Sequence, residues 1–340
     1  LIAPLQKSFS VTTAQTGLVF SLAIVSFTIA VIAVPRCIAP GAKLGGLPWF
    51  AFAGATCLIA AAQVHEFEYF LFWFSGGFGA SSGAIYIAGL GVAANTPIHK
   101  VATPAMVATF GVGGVIFGPV WRVLGANNWG LESLNVLAFG LFISAVTATL
   151  APRQTAKQFI AARAPFKELV KPTGTRSSLV IIWLTFAFGS FAGLMVLGLA
   201  SKMMELAQTS VGLASLGLAG IAIANTAGRL SVAWLSRHLR LDQCLFVSVG
   251  FTITGLIMAM LHNTASILCI GLIMIAGGYG IVASTFPVLT RSLFGADRFQ
   301  QMFALVFTAW GVAGFVAPWA GGALFDKSGS FLLPLAFSVL

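Results

Sequence analysis

Charged side chains are scarce in this chain. Only 8% of its 340 residues are Asp, Glu, Lys or Arg, whereas soluble domains carry about 25%. Acidic residues are the rarest of these. The chain has 8 acidic and 18 basic residues, which gives a formal net charge of +10. A chain with so few charges and 58% hydrophobic residues cannot cover a surface that faces water. The composition therefore excludes an ordinary soluble protein and predicts an integral membrane protein.

Motifs for catalysis and cofactor binding are also missing from the sequence. It contains no phosphate loop, no nucleotide fingerprint and no HxxxH metal spacing, so we expect no enzyme, no cofactor and no metal. The four cysteines, Cys37, Cys57, Cys244 and Cys269, lack CxxC spacing and are read as buried free thiols. In a membrane protein the excess of basic over acidic residues indicates positive cytoplasmic loops, and no nucleic-acid partner is expected.

Titratable groups are absent from the middle of the apolar runs. All eight carboxylates and all four histidines fall in loops or at the ends of runs: Glu66, Glu68, Glu132, Glu168, Glu205, Asp242, Asp297, Asp326, His65, His99, His238 and His262. No such group is left at membrane depth to relay a proton. Proton coupling would then depend on a first span or on the substrate itself, and uniport or anion exchange fits at least as well.

What the sequence does contain is a series of apolar runs, each long enough to cross a bilayer as a helix. We predict an all-α polytopic protein with ten complete spans at 14–35, 44–64, 68–94, 101–124, 131–151, 178–201, 211–235, 243–262, 266–290 and 299–323. Residues 1–5 resemble the tail of an earlier span, and a further span opens at Phe331. We therefore expect the first and last helices to be truncated.

The distribution of Lys and Arg predicts the orientation of the chain. With the loop 152–177 in the cytoplasm of an inner or plasma membrane, that side carries Arg36, Lys43, Lys100, Arg153, Lys157, Arg163, Lys167, Lys171, Arg176, Arg237, Arg240, Arg291 and Arg298. The other side carries only Lys7, Arg122, Lys202 and Lys327. The same loop divides the chain into two predicted helical bundles, 1–151 and 178–340, joined by the cytoplasmic linker 152–177.

Two short matches link the predicted bundles. Residues 14–17 read AQTG and residues 207–210 read AQTS, while 76–79 read GGFG and 277–280 read GGYG. The matches occur in the same order on either side of the basic loop, which indicates a duplicated bundle. Duplicated bundles are typical of secondary transporters, whose site lies near the membrane midplane.

Several stretches resemble the oxalate/formate antiporter and monocarboxylate transporter branch of the major facilitator superfamily. They are Phe307–Gly314 with Pro318, Gly321, Gly322, Asp326, Gly329 and Ser330; Gly228-Arg229-Leu230 with Trp234-Leu235-Ser236; and Phe286-Pro287 with Leu293-Phe294-Gly295. The resemblance covers nearly the whole chain as spans two to eleven. It implies a major-facilitator fold of two six-helix bundles and the transport of small organic anions.

Arg229 is the first candidate binding residue, because it lies inside an apolar run. An arginine at membrane depth costs about 2.5–3.5 kcal/mol on insertion scales. Its guanidinium either extends to the cytoplasmic interface or faces a cavity and binds a substrate carboxylate, as the resemblance implies. Asn225 lies one turn earlier and shares its helix face. It either orients Arg229 and the substrate or bonds a neighbouring helix, and some family members carry an aspartate there.

Three aromatic residues complete the candidate site. Trp310 stands where the resemblance implies a second cation, a lysine, in the family's dicarboxylate exchanger, so a single carboxylate such as lactate, pyruvate or formate is favoured. Trp310 is alternatively a packing or lipid-facing residue. The hydroxyls of Tyr279 and Tyr86 need partners in an apolar medium, either a substrate oxygen or a neighbouring helix. The glycines and proline of Gly111–Pro119 resemble the element of the fifth span that allows close helix approach.

Two positions depart from the superfamily pattern. Ile38 and Arg237 stand where aspartates that latch the cytoplasmic face are usual. This departure leaves other functions open beside monocarboxylate transport by alternating access. One is a facilitator for another organic anion or a drug-like compound. The other is a transporter-like subunit or scaffold of a larger membrane complex that no longer transports.

Overall fold

The described residues of the computed structural model fold into α-helices without a β-strand, and they cover 5, 8–11, 13–37, 47–126, 130–150, 173–208 and 210–338. Most of the linker 152–177 lies outside this part of the chain, as do Ile38 and Lys43. The predicted cytoplasmic position of the linker therefore stays a prediction.

Eleven helices follow one another along the described chain. They are α1 (Thr13–Cys37), α2 (Leu47–Gln63), α3 (Phe67–Ala94), α4 (His99–Ala126), α5 (Leu134–Leu150), α6 (Arg176–Leu206), α7 (Val211–His238), α8 (Leu241–Met260), α9 (Ala265–Phe294), α10 (Phe299–Ser328) and α11 (Leu332–Phe337). Nine of the described helices are long and apolar enough to cross a membrane, and α2 is a shorter apolar helix. The ten predicted spans therefore all correspond to helices.

The helices begin and end where local chemistry favours it. The Thr175 hydroxyl accepts a hydrogen bond from the Ser178 amide at the start of α6, and Ser210 and Thr264 cap α7 and α9 in the same way. These caps satisfy amides that have no partner inside the helix. Helix α10 ends at Gly329, whose φ of 66° is a left-handed conformation that suits glycine.

Helix α3 is irregular in its first half. Residues Leu71–Phe78 form a π-helical segment between the α-helical Phe67–Phe70 and Gly79–Ala94. Such wide turns are rare and usually short. The segment contains the first three residues of the first glycine motif, whose Gly79 begins regular helix, whereas the second motif lies in regular helix in α9.

The described chain divides into two compact units. The first comprises 1–97 and 117–169, and the second comprises 98–116 and 170–340. In the first unit, Leu58, Phe70 and Leu134 are fully buried in one apolar cluster. In the second, Phe186 of α6 stacks on Phe286 of α9 with ring centroids 4.5 Å apart. The bundle limits predicted from the sequence stay a prediction.

Candidate functional site

The Arg229 side chain lies in the interior of the second unit, with only 4% of its surface exposed. Its Nε donates to Asn225 Oδ1 at 3.1 Å, along the same face of α7. Its Nη1 donates to the backbone oxygen of Val107 on α4 at 3.0 Å. The guanidinium is therefore held inside the helix packing, and the alternative in which it extends to an interface is not what the structure shows.

Two aromatic rings flank this guanidinium. Its Cζ lies 5.6 Å from the ring centroid of Phe110 on α4 and 5.7 Å from that of Tyr279 on α9. A cation within about 6 Å of a ring centroid is attracted by the negative face of the ring. The rings stabilise the positive charge without neutralising it.

Tyr279 connects Arg229 to Trp310. The Trp310 Nε1 on α10 donates to the Tyr279 hydroxyl oxygen at 2.6 Å. Both side chains are buried, so Trp310 does not face lipid, and this bond meets the need of a buried indole N–H for an acceptor. The hydroxyl proton of Tyr279 has to point elsewhere, and it is the one donor that this side chain can offer to a ligand.

Glycines bring the helices of the site together. A Cβ on Gly280 would collide with the backbone oxygen of Asn225, and one on Gly228 with that of Gly277. Helices α7 and α9 therefore approach backbone to backbone, as small residues allow in membranes. At Gly111, a Cβ would lie 2.5 Å from the Thr226 hydroxyl oxygen, so the predicted packing role of the α4 glycines holds at this position.

The electrostatic balance of the site is unusual. Across the described ranges, the ion pairs are Lys202 with Glu205 and Arg240 with Asp242, all with largely exposed side chains. Arg229 belongs to neither pair. A buried cation that is held by an amide oxygen, a carbonyl oxygen and two rings keeps a full positive charge, which favours the binding of an anion.

Tyr86 belongs to the other compact unit of the described chain. It lies on α3 in the first unit, where it is buried and its ring centroid is 5.5 Å from that of Phe27. The second unit thus brings together four of the five candidate residues, and the role of Tyr86 as a binding residue stays a prediction.

Val107 and Phe110 are contacts of Arg229 that the sequence analysis missed. Val107 acts through its backbone oxygen, which leaves no trace in residue type. Phe110 is one of 30 phenylalanines in the chain, so composition could not single it out. The only sequence signal on α4 is the neighbouring Gly111, which marks a close helix approach.

A second buried arginine was counted from the sequence among the loop cations. Arg291, in the last turn of α9, is only 7% exposed, and its Nη1 lies 3.1 Å from His99 Nε2. His99 is the first residue of α4. The structure therefore places this guanidinium inside the protein instead of at its surface.

Comparisons with known proteins connect the chain to one fold. No protein-family model matches the sequence, and no curated protein matches it. Many solved structures are similar, and three illustrate the likeness. The human organic anion transporter MFSD10 (TETRAN) has TM-score 0.68 and 15% identity over 96% of this chain and 83% of that one. The proton:xylose symporter XylE bound to 6-bromo-6-deoxy-D-glucose has TM-score 0.75 and 12% identity over 99% of this chain and 88% of that one. FucP in the outward conformation has TM-score 0.63 and 16% identity over 100% of this chain and 91% of that one.

XylE and FucP are described as major facilitator superfamily proteins. At these identities the likeness concerns the fold and does not select a branch or a substrate. It agrees with the apolar helices, which are the right length for a protein that crosses the membrane several times. The predicted fold class is confirmed: the chain is an integral, multi-pass membrane protein with the major facilitator fold.

Proposed function

We propose that this chain is a secondary transporter of small organic anions, that it works by alternating access, and that Arg229 binds the substrate carboxylate. The observation that carries the proposal is the buried guanidinium of Arg229. It lies in the interior of the second unit and has no ion-pair partner among the described residues.

The donors of Arg229 suit a carboxylate. A guanidinium has five N–H donors in a rigid fork, and Nε and one N–H of Nη1 are engaged by Asn225 and Val107. A carboxylate accepts two parallel bonds from the end formed by Nη1 and Nη2, and in doing so it competes with Val107 for the Nη1 donor. Because the site is buried, those charge-assisted bonds are stronger than they would be in water.

The charge of the site favours a single carboxylate. Trp310, at the position where the resemblance implies a second cation in a dicarboxylate exchanger, is neutral and donates to Tyr279. One cation balances one negative charge, which supports monocarboxylates of the lactate, pyruvate or formate type. The similar structures are compatible with this class, since one is an organic anion transporter and another a proton:xylose symporter. The fold alone does not choose between them.

The test is uptake of labelled lactate and pyruvate by proteoliposomes that contain the purified protein. Arg229→Ala should abolish uptake, because it removes the only charge that faces the carboxylate in this proposal. Arg229→Lys should leave little, because an ammonium cannot form the paired bonds. Arg237→Ala is the matched control, since Arg237 is exposed two turns further along α7. Normal uptake by Arg229→Ala would refute the assignment.

A panel of ligands separates the proposal from its two alternatives. A ligand that binds only the folded state raises the melting temperature of the purified protein. A rise with lactate or pyruvate that Arg229→Ala removes supports the monocarboxylate assignment. A rise only with larger organic anions points to another facilitator. No rise with any anion, together with a stoichiometric co-purifying protein, would replace transport by a role as subunit of a membrane complex.

A further inference from the structure

The contact between His99 and Arg291 has a chemical requirement that fixes the protonation of the imidazole. Arginine has no acceptor, so at 3.1 Å Arg291 Nη1 donates and His99 Nε2 accepts. An imidazole that accepts at Nε2 is neutral and carries its proton on Nδ1. A second proton would occupy the accepting lone pair and place a cation directly against the guanidinium.

The same helix is held by a second arginine. Eight residues along α4 from His99, the backbone oxygen of Val107 accepts from Arg229. At 1.5 Å per residue the two attachment points are about 12 Å apart along the helix axis. The first two turns and a half of α4 are thus fixed to α9 by Arg291 and to α7 by Arg229.

Each attachment is open to competition by a different species. A carboxylate that binds Arg229 competes with Val107 for guanidinium donors. A proton that binds His99 removes the acceptor that Nε2 offers to Arg291. Both events weaken the attachment of the same stretch of α4 to α7 and α9 within the second unit, so each favours the state that the other also favours. Two ligands that favour one state bind with positive coupling.

We propose that His99 is the proton-binding site of a proton-coupled anion transporter, and that the release of α4 from Arg291 and Arg229 links the proton to the anion. This inference rests on the function proposed above. It replaces the expectation from the sequence that a proton carrier would have to lie in the first span or in the substrate. Histidine suits the role, because its charge ordinarily changes between about pH 5 and 8.

The guanidinium of Arg291 lies against His99, with Nη1 3.1 Å from Nε2, and Lys100 is its neighbour in sequence. This positive charge opposes a second proton on His99 while α4 stays attached, which ties proton binding to the release of the helix.

The direction of the pH effect follows from the neutral form. The His99–Arg291 hydrogen bond is present when the imidazole is neutral, and it is lost as the pH falls and the imidazole gains a proton. Lower pH should therefore favour the released state and raise the affinity for the anion. By linkage, binding of the anion should raise the affinity of His99 for the proton by the same factor.

The transport test compares two substitutions at His99. His99→Gln keeps an acceptor for Arg291 but cannot titrate, and His99→Lys carries a permanent charge that imitates the protonated form. In proteoliposomes with an inward proton gradient, the wild type should accumulate labelled pyruvate at least about 5-fold better than without the gradient, the lower end of ordinary coupling. Both variants should show downhill uptake with no response to the gradient. His262→Gln is the control, because His262 contacts its own helix end at Ala259.

A spectroscopic test does not depend on transport. Nitroxide labels at Lys100→Cys and Ser292→Cys, both exposed positions next to the pair, report the approach of α4 to α9 when Cys37, Cys57, Cys244 and Cys269 are replaced by serine. Dipolar broadening should weaken as the pH falls from about 8 to about 5.5. With His99→Gln it should stay strong at every pH, and with His99→Lys it should stay weak.

The two tests fail separately. If the broadening responds to pH but no carboxylate is taken up at any pH, the proposed substrate is wrong and the proton site stands. If pyruvate is taken up but His99→Gln leaves the gradient response intact, the proton site is wrong and the function stands. Broadening that does not change with pH in the labelled protein that retains His99 also overturns the proton site.

Discussion

Helix α3 of the first unit and helix α9 of the second carry the same glycine motif and use it in the same way. In the first unit, a Cβ on Gly77 would lie 2.5 Å from the Cys57 sulfur of α2, and one on Gly79 would lie 2.9 Å from the backbone oxygen of Ala23 on α1. Two glycines two positions apart thus face two different neighbouring helices.

The second unit repeats this arrangement. A Cβ on Gly278 would lie 2.5 Å from the Thr252 hydroxyl oxygen of α8, and one on Gly280 would collide with the backbone oxygen of Asn225 on α7. The comparison makes Asn225 the counterpart of Ala23, and therefore makes Arg229, one turn on, the counterpart of Phe27.

The two units share these close glycine contacts between helices and differ in the side chains that lie next to them. Where the second unit buries a guanidinium between rings, the first buries Phe27 against Tyr86. Two helix pairs with corresponding glycine contacts thus hold an apolar contact in one unit and a charged one in the other. The site therefore follows from a few side chains and not from the fold itself.

The largest expected effect tests whether the glycines of the two motifs are equally necessary for helix packing. Gly280→Leu and Gly79→Leu should both reduce the yield of monodisperse protein severely, because the new side chains meet backbone atoms that cannot move aside. Because backbone atoms stand in the way, the cost should lie well above the about 1–3 kcal/mol that overpacking a core commonly carries. The yield is measured by size-exclusion chromatography with fluorescence detection. Gly250→Leu is the control, since a Cβ there meets no atom within 4 Å. Tolerance at only one of the two glycines would break the comparison.

The next prediction separates stability from function at the two counterpart positions. Phe27→Ala should lower stability by about 3–5 kcal/mol, the usual cost of removing a buried phenylalanine, while the uptake of pyruvate per folded molecule stays near that of the wild type. Arg229→Ala should leave stability near that of the wild type and abolish the uptake of pyruvate. Melting temperature and uptake are measured on the same preparations. A loss of specific uptake in Phe27→Ala would show that the first unit also contributes to binding.

A smaller effect is expected at the hydroxyl of Tyr279. Tyr279→Phe leaves the buried Trp310 Nε1 without its acceptor, which should cost about 1–3 kcal/mol and weaken carboxylate binding. The unfolding midpoint and the apparent KM of pyruvate uptake report the two effects. Tyr69→Phe serves as control because Tyr69 is 57% exposed. An unchanged midpoint would mean that the indole finds another acceptor in the variant.

The smallest effect concerns the pH dependence of binding. Asn225→Asp places a carboxylate next to Arg229 that is charged near neutral pH and competes with the substrate. The ratio of its uptake to that of the wild type should be lowest at high pH and should rise only towards the acid end of the range, because the neighbouring guanidinium favours the charged carboxyl. Initial rates between about pH 5 and 8 check this against the wild type. Superimposable profiles would count against Asn225 as a residue of the site.

Much of the fold could be predicted because apolar runs of bilayer length leave few alternatives to helices. The Asn225–Arg229 contact was also accessible, since residues four apart on a helix are neighbours. Contacts that depend on the packing of different helices could not be predicted from the sequence. Tyr279 and Trp310 are 31 residues apart, and Val107 and Arg229 are 122 apart, so only the packed helices bring them together.

Sequence similarity was also less specific than geometry. The glycines of the GGFG and GGYG matches make corresponding helix contacts, although most of the first motif lies in the π-helical segment. The AQTG and AQTS match is not, because residues 14–17 lie inside α1, whereas Ala207 and Gln208 lie in the turn after α6. Four letters without a packing requirement recur by chance in a chain this rich in small residues.

The contact between Arg229 and Val107 has a consequence for genetics. Since the acceptor is a main-chain oxygen, every amino acid at position 107 presents it. An alanine scan of α4 would therefore report only the packing contribution of the Val107 side chain. An ester in place of the amide that carries this oxygen would weaken it as an acceptor and change no side chain. Chemistry of that kind, and not codon replacement, is what reaches this half of the site.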